Sequence, residues 1–175
     1  INGYDIDCSV LCQGGIIKAF TIQKGLDYDQ RDFSPPISVE FVENPKLFKV
    51  VKKLMSSLNW NGIAHIDMRY DRDDDTYKVI EINPRYWFSL EASMLAGVNF
   101  PYLHLLCSLN KEVKPQKYKR IKALTLRGFI KNLRNDPLLL FRFKFLWNQS
   151  SIKFIIKDPM PILMQFGQWV KKQLV

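Results

Sequence analysis

His65-Ile66-Asp67-Met68-Arg69, followed after a turn by Ile80-Glu81-Ile82-Asn83-Pro84-Arg85, is the stretch that decides how this 175-residue chain folds. Ile63 to Tyr70 alternates as a strand does. Asp71-Arg72-Asp73-Asp74-Asp75 has the composition of a solvated turn, and Tyr77 to Asn83 reads as the returning strand. The pair predicts a β-hairpin. Side chains on a strand alternate between faces, so Asp67 and Arg69 point the same way, as do Glu81, Asn83 and, past Pro84, Arg85. Pairing across the turn would set Asp67 beside Glu81. Val79, Ile80 and Ile82 surround these polar residues with apolar ones and predict a strand buried on one face.

Two carboxylates and one amide oxygen make a hard, all-oxygen donor set. Mg²⁺ or Mn²⁺ takes such ligands and completes its shell with water and nucleotide phosphates. Glu81 is placed to bridge two ions, and Arg85 offers a planar fork suited to a phosphate or carboxylate. Phosphoryl transfer needs such parts, because its catalysis is mainly positioning and charge neutralisation. Taken alone, Asp67 next to Arg69 fits a surface ion pair of small energetic weight equally well.

Working toward the N-terminus, Tyr4 to Cys12 alternates with Ile6, Cys8 and Val10 on one face and Asp5, Asp7 and Ser9 on the other. Gln13-Gly14-Gly15 is a turn, and Ile16 to Gln23 is the returning strand of a first hairpin. Gly25 to Pro36 is polar, acidic and aperiodic, as a loop is. Asn44-Pro45 marks a helix start carrying Leu47, Val50, Val51, Leu54, Met55 and Leu58 at helical spacing, ended by Trp60-Asn61-Gly62. Toward the C-terminus, Leu90–Ala96 and Pro101–Ser108 are helical, broken at Gly97. Lys111 to Lys122 is a basic loop or the lead-in to a last strand. Helices are expected over 124–133, 137–147 and 159–174. Two hairpins among helices predict an α+β fold: an antiparallel sheet with flanking helices (residues 1–118) and a basic helical C-terminal extension (119–175).

Val79-Ile80-Glu81-Ile82-Asn83-Pro84-Arg85 resembles the metal-binding strand of ATP-grasp enzymes, which include biotin carboxylases, D-alanine–D-alanine ligases and carbamoyl phosphate synthase large subunits. Asn2-Gly3-Tyr4-Asp5-Ile6-Asp7 resembles the segment after the adenine-binding hinge. Gly62 to Arg69 is similar to the strand bearing the first metal ligand, and Ser89 to Pro101 to the helix and turn beyond the motif. The resemblance covers residues 1 to about 110 and implies the C-terminal subdomain of that fold. It implies that Asp67 and Glu81 hold one Mg²⁺, that Glu81 and Asn83 hold another, and that Arg85 contacts the transferred phosphate or an acyl phosphate. It implies ATP as co-substrate and a small-molecule carboxylate and amine as the groups joined. Lys18, Lys24 and Arg31 lie where the family often places phosphate- or substrate-binding cations, though solvated surface charge also accounts for them. Asp67 stands where carbamoyl phosphate synthases commonly have Gln and biotin carboxylases Glu. Trp87-Phe88 is bulky where many members have small residues.

The resemblance leaves a carbamoyl-phosphate-synthase-like unit and a non-catalytic ATP-grasp remnant as alternatives to a carboxylate–amine ligase. The chain opens at Ile1 on a strand, which is expected of a piece of a longer protein whose N-terminal domains would supply the hinge and lid. Cys8, Cys12 and Cys107 follow no metal-ligand spacing and read as reduced thiols of a cytoplasmic protein. No apolar run is long enough for a membrane span.

The net charge of +9 is unevenly placed. Residues 1–110 carry 11 Lys+Arg against 14 Asp+Glu, whereas residues 111–175 carry 15 against 3. In the tail this charge is mixed with Phe, Leu and Trp. Two readings stand: helices packed on the domain or on a neighbouring subunit, with charged outer faces, or a peripheral contact with an anionic membrane. No recognition motif supports nucleic-acid binding.

Overall fold

The computed structural model describes residues 2–27 and 36–173. Asn44 opens the first helix, α1 (Pro45–Ser57): its side chain accepts a hydrogen bond from Leu47 N at 2.9 Å, and Pro45 fills the first helical position, where a missing N–H costs nothing. Leu47, Val51 and Met55, four residues apart, are its buried stripe. They press on one face of the sheet, against Ile6, Cys8, Val10, Ile22, Ala64, Ile66 and Met68. Each Val, Leu, Ile or Met among them, fully withdrawn from water, contributes about 1.5–3 kcal/mol.

Six strands make that sheet: β1 (Gly3–Gln13), β2 (Ile16–Asp27), β3 (Ser38–Phe41), β4 (Gly62–Asp71), β5 (Thr76–Asn83) and β6 (Lys122–Leu124). Their order is β5-β4-β1-β2-β3-β6, with every pairing antiparallel. The β1–β2 hairpin closes through Gly14 and Gly15, both at positive φ (57° and 74°), the backbone a tight two-residue hairpin turn demands. The β4–β5 hairpin closes through Arg72–Asp75, and the acidic run there is tied down locally: Lys78 reaches Asp74, and Lys46 Nζ lies 2.6 Å from Asp75 Oδ2. These pairs hold both carboxyls below the usual range, as a solvated turn with its own counter-ions should.

The second face is covered by α2 (Leu90–Ala96) and α3 (Phe100–Ser108). Phe100, Leu103, Val98 and Trp87 pack there on Leu11, Ala19 and Ile63. Gly97, at φ 110°, caps α2 in the left-handed conformation predicted for the break.

The antiparallel α+β architecture expected from the sequence is the one observed. Three local expectations differ. β3 was not anticipated, and β2 continues to Asp27 into the stretch read as loop. β5 lies at the sheet edge: Tyr77 and Ile82 pack against the α1 core, but Val79 and Ile80, expected to bury, are exposed. The tail holds more pieces than three helices: α4 (Leu126–Asn135), a 3₁₀ turn (Pro137–Phe141), α5 (Phe143–Gln149), α6 (Ile152–Lys157) and α7 (Met160–Gln173). Pro137 and the hydrogen bond from Leu138 N to Asp136 start the 3₁₀ segment where a single helix was expected. Tail and sheet are physically joined. β6 pairs with β3, Leu124 bridges to Ser150, and Phe129, Leu139 and Leu146 form a small core of their own.

Candidate cation and nucleotide site

Strand register builds the site. Gln23, Asp7, Asp67 and Glu81 are successive partners across β2, β1, β4 and β5, forming one rung. Thr21, Ser9, His65 and Asn83 form the next. Because the side-chain period is two, all eight face away from α1, and the apolar residues between them supply the α1 core. A bulge in β5 beside Asp67 and Met68 inserts Ile80 as an extra residue. This keeps Glu81 and Asn83 on the Asp67 face although Val79 pairs with Met68.

The predicted juxtaposition of Asp67 and Glu81 is therefore present: the two are direct cross-strand partners, and Asn83 Nδ2 donates to Asp67 Oδ2 at 2.9 Å. The donor set of two carboxylates and an amide fits a hard divalent cation, with the amide turned to present its oxygen. Arg85 lies two residues past the end of β5. It is exposed, and its Nη1 donates to Tyr86 O at 3.3 Å, because Pro84 ends β5 and releases the chain from the sheet register. Lys24 alternates with Gln23 and so emerges on the opposite face, its ammonium 4.0 Å from the Tyr4 ring centroid. Lys18 sits near the hairpin end of β2, five residues from Gln23, or roughly 16 Å along the strand at the usual rise. Neither lysine lies at the Asp67–Glu81 rung. Arg31 lies outside the described residues.

The sequence reading passed over the residues beside Asp67. Ser9 Oγ is 2.9 Å from His65 Nδ1, and His65 Nε2 lies 3.3 Å from Asp67 Oδ1 and 4.0 Å from Asp7 Oδ2. Burial pushes the Asp7 carboxyl up to about 6; the imidazole of His65 opposes that rise and the carboxylate of Asp67 adds to it. The signal was in the sequence: Asp7 and Ser9 were assigned to the polar face of β1, but only their burial against β4 makes them part of a site. Behind them, Gln23 and Ser89 exchange hydrogen bonds of 2.7 and 3.1 Å, which uses the hydroxyl that would otherwise cap α2. Trp87 stacks on His65 with ring centroids 5.5 Å apart and is 5% exposed. Its Nε1 is the one buried side-chain nitrogen or oxygen without a hydrogen-bond partner among the described residues. Arg69, one step down β4, is paired with Asp5 at 2.6 Å.

A family model described as "ATP-grasp in the biosynthetic pathway with Ter operon" matches residues 3–128, well over half of the chain and all of the site. The chain belongs to the ATP-grasp family. The D-aspartate ligase of Enterococcus faecium (strain Aus0004) is 36% identical over 56 residues, covering 32% of this chain and 13% of that protein. Among solved structures, the N5-carboxyaminoimidazole synthetase of Staphylococcus aureus superposes with a TM-score of 0.58 at 16% identity, over 76% of this chain and 37% of the other. The phosphoribosylaminoimidazole carboxylase ATPase subunit of Aquifex aeolicus gives 0.54 at 14% identity, over 68% and 38%. These two show a shared fold. The chain spans less than two-fifths of each of these three proteins.

Proposed function

We propose that this ATP-grasp chain is the metal-binding part of a cytoplasmic, Mg²⁺- and ATP-dependent ligase that joins a carboxylate to an amine through an acyl phosphate. The observation that carries this reading is the Asp67–Glu81 pair with Asn83 on the same face. A divalent ion held there would neutralise the phosphate charge of ATP. Asp67 and Glu81 hold the position and Asn83 fixes Asp67. Arg85 would have to turn from Tyr86 O to meet an anion. The similarity to a D-aspartate ligase favours ligation over the carbamoyl-phosphate-synthase-like alternative. Hinge and lid functions would come from other parts of a longer protein.

The test has two stages. Calorimetric titration of the chain with Mg²⁺ and Mn²⁺ should give binding that Glu81→Ala abolishes. In the full-length protein, ATP, Mg²⁺ and the carboxylate should form a species that hydroxylamine traps as a hydroxamate, and Glu81→Ala should lower ADP release at least a hundredfold. ADP release unaffected by Glu81→Ala would overturn the assignment. Wild-type protein that releases no ADP with any carboxylate would favour the non-catalytic remnant.

One further observation bears on the tail. Phe141 and Phe143 are each 73% exposed and flank Arg142, with Lys144 next in sequence. Exposed apolar rings among cations, in a segment of charge +12, complement an anionic lipid surface. A peripheral membrane contact through this segment is the reading they favour, although no described helix is long and apolar enough to cross a membrane. Co-sedimentation with vesicles containing phosphatidylglycerol, but not with pure phosphatidylcholine, is expected, and Phe141→Ser with Phe143→Ser should reduce it severalfold. Equal behaviour on both lipids would overturn it.

A further inference from the structure

The Glu81 side of Asp67 offers only oxygen ligands, but the other side of the same carboxylate is built differently. There, one ligand atom each from Asp7, His65 and Asp67 lie within 4.8 Å of one another, on partly buried side chains. Two ligands bound about 2.1 Å from an ion at a tetrahedral angle are about 3.4 Å apart. The 3.3 Å between His65 Nε2 and Asp67 Oδ1 already has that value, and Asp7 Oδ2, at 4.0 Å from Nε2, reaches the same point by a small rotation of its side chain.

The surroundings fix the imidazole for this role. Ser9, fully buried, meets Nδ1 at 2.9 Å; when Nδ1–H donates to that hydroxyl, Nε2 turns its lone pair toward the two carboxylates. Trp87, buried and stacked on the ring, sets its plane. Asp7 and Asp67 are cross-strand partners, so two carboxylates share this edge with one histidine. The competing occupant is the Nε2 proton itself, which would make the imidazole a bridge between the carboxylates.

We propose that Asp7, His65 and Asp67 form a second divalent-cation site, distinct from the Asp67–Glu81–Asn83 set, that takes a first-row transition ion such as Zn²⁺ or Co²⁺ in preference to Mg²⁺. Imidazole is a good ligand for those ions, whereas Mg²⁺ favours oxygen. Asp67 would be shared, with Oδ1 toward this site and Oδ2 toward Asn83. Water or a substrate atom would complete the shell, since three protein ligands leave a position open. The site ties β1 to β4 at the rung that also feeds the Glu81 strand. It needs neither nucleotide nor Glu81, so it stands or falls apart from the ligase reading.

The test is titration of the full chain with Co²⁺, followed by visible absorption, and with Zn²⁺ by calorimetry. Wild type, His65→Asn, Asp7→Asn, Ser9→Ala and Glu81→Gln are compared, with circular dichroism confirming that each is folded. One Zn²⁺ per chain is expected, with the Co²⁺ band displaced by Zn²⁺. His65→Asn and the isosteric Asp7→Asn should weaken binding at least tenfold, and Ser9→Ala by about tenfold or more. Glu81→Gln should leave Zn²⁺ affinity unchanged within about twofold while removing Mg²⁺ binding. Pulsed EPR on the chain loaded with one Cu²⁺ should show a directly bound imidazole nitrogen that is absent in His65→Asn. No Zn²⁺ binding by the wild type, or binding lost in Glu81→Gln but retained in both His65→Asn and Asp7→Asn, would overturn the proposal. If His65→Asn unfolds, Asp7→Asn and the nitrogen coupling of wild type carry the decision.

Discussion

Asn44, Cys8, Cys12, Cys107 and Trp87 show what single residues are set to do. Asn44 accepts from Leu47 N, so Asn44→Ala should cost about 1 kcal/mol of stability, measured by urea denaturation. The same side chain reaches Tyr77 on β5 at 2.5 Å, so the loss also loosens the edge strand. Cys8 and Cys12 are buried; burial pushes both thiols up, Cys12 to about 12 and Cys8 further, so neither is a thiolate near neutrality. Cys107 is only half-buried. Ellman's reagent at pH 8 should therefore modify Cys107 first, with Cys8 and Cys12 reacting only on unfolding. Three fast thiols in the native chain would mean that β1 is not packed as described. Trp87 fills the space between His65 and Phe100, with 4.8 Å between the Trp87 and Phe100 centroids. Trp87→Ala should cost about 3–5 kcal/mol, read as a fall in the denaturation midpoint.

At the scale of elements, strand register is the decisive feature. The alternation in β1 and the helical stripe of α1 were legible, because a half-buried strand and an amphipathic helix write their burial directly into residue spacing. β3 was not. Its four residues are too few to show a period, and they are held by neighbours on both sides, β2 and β6. The exposure of Val79 and Ile80 was missed because both carry strand propensity without a partner beyond them, and an edge position is a property of the sheet order rather than of the strand. The contact between α4 and Ile37, just before β3, is equally specific: a Cβ added to Gly128 would lie 2.2 Å from Ile37 O. Gly128→Ala should lower stability by roughly 1–3 kcal/mol despite its better helix propensity, because backbone rather than a flexible side chain blocks it. A thermal melt no lower than wild type would show that α4 can shift away without loss.

For the molecule as a whole, the charge division between residues 1–110 and 111–175 coincides with a structural one only in part. Thr125 accepts from Gly128 N and donates to Ile37 O at 2.8 Å, and Tyr118 donates to Val42 O at 2.7 Å, so the basic segment is pinned to the sheet at several points. The apolar residues that the sequence mixes with charge in the tail are partly used up in that packing, through Phe129, Leu139 and Leu146. Phe141 and Phe143 remain outside it.

Residue alternation and the order of Gly, Pro and acidic residues were enough to determine two hairpins, one capped helix, the antiparallel class and the pairing of Asp67 with Glu81, because each is a short-range consequence of strand period and turn chemistry. Only tertiary structure decided the rest. The insertion of β1 between β4 and β2 brought Asp7 and Ser9 to His65 and Asp67, residues more than fifty positions apart. The end of β5 at Asn83 left Arg85 beyond the sheet, donating to Tyr86 O, and the alternation of β2 sent Lys24 to the far face. Sheet order follows from which faces bury best against which helices, a sum over the whole chain that no local pattern records.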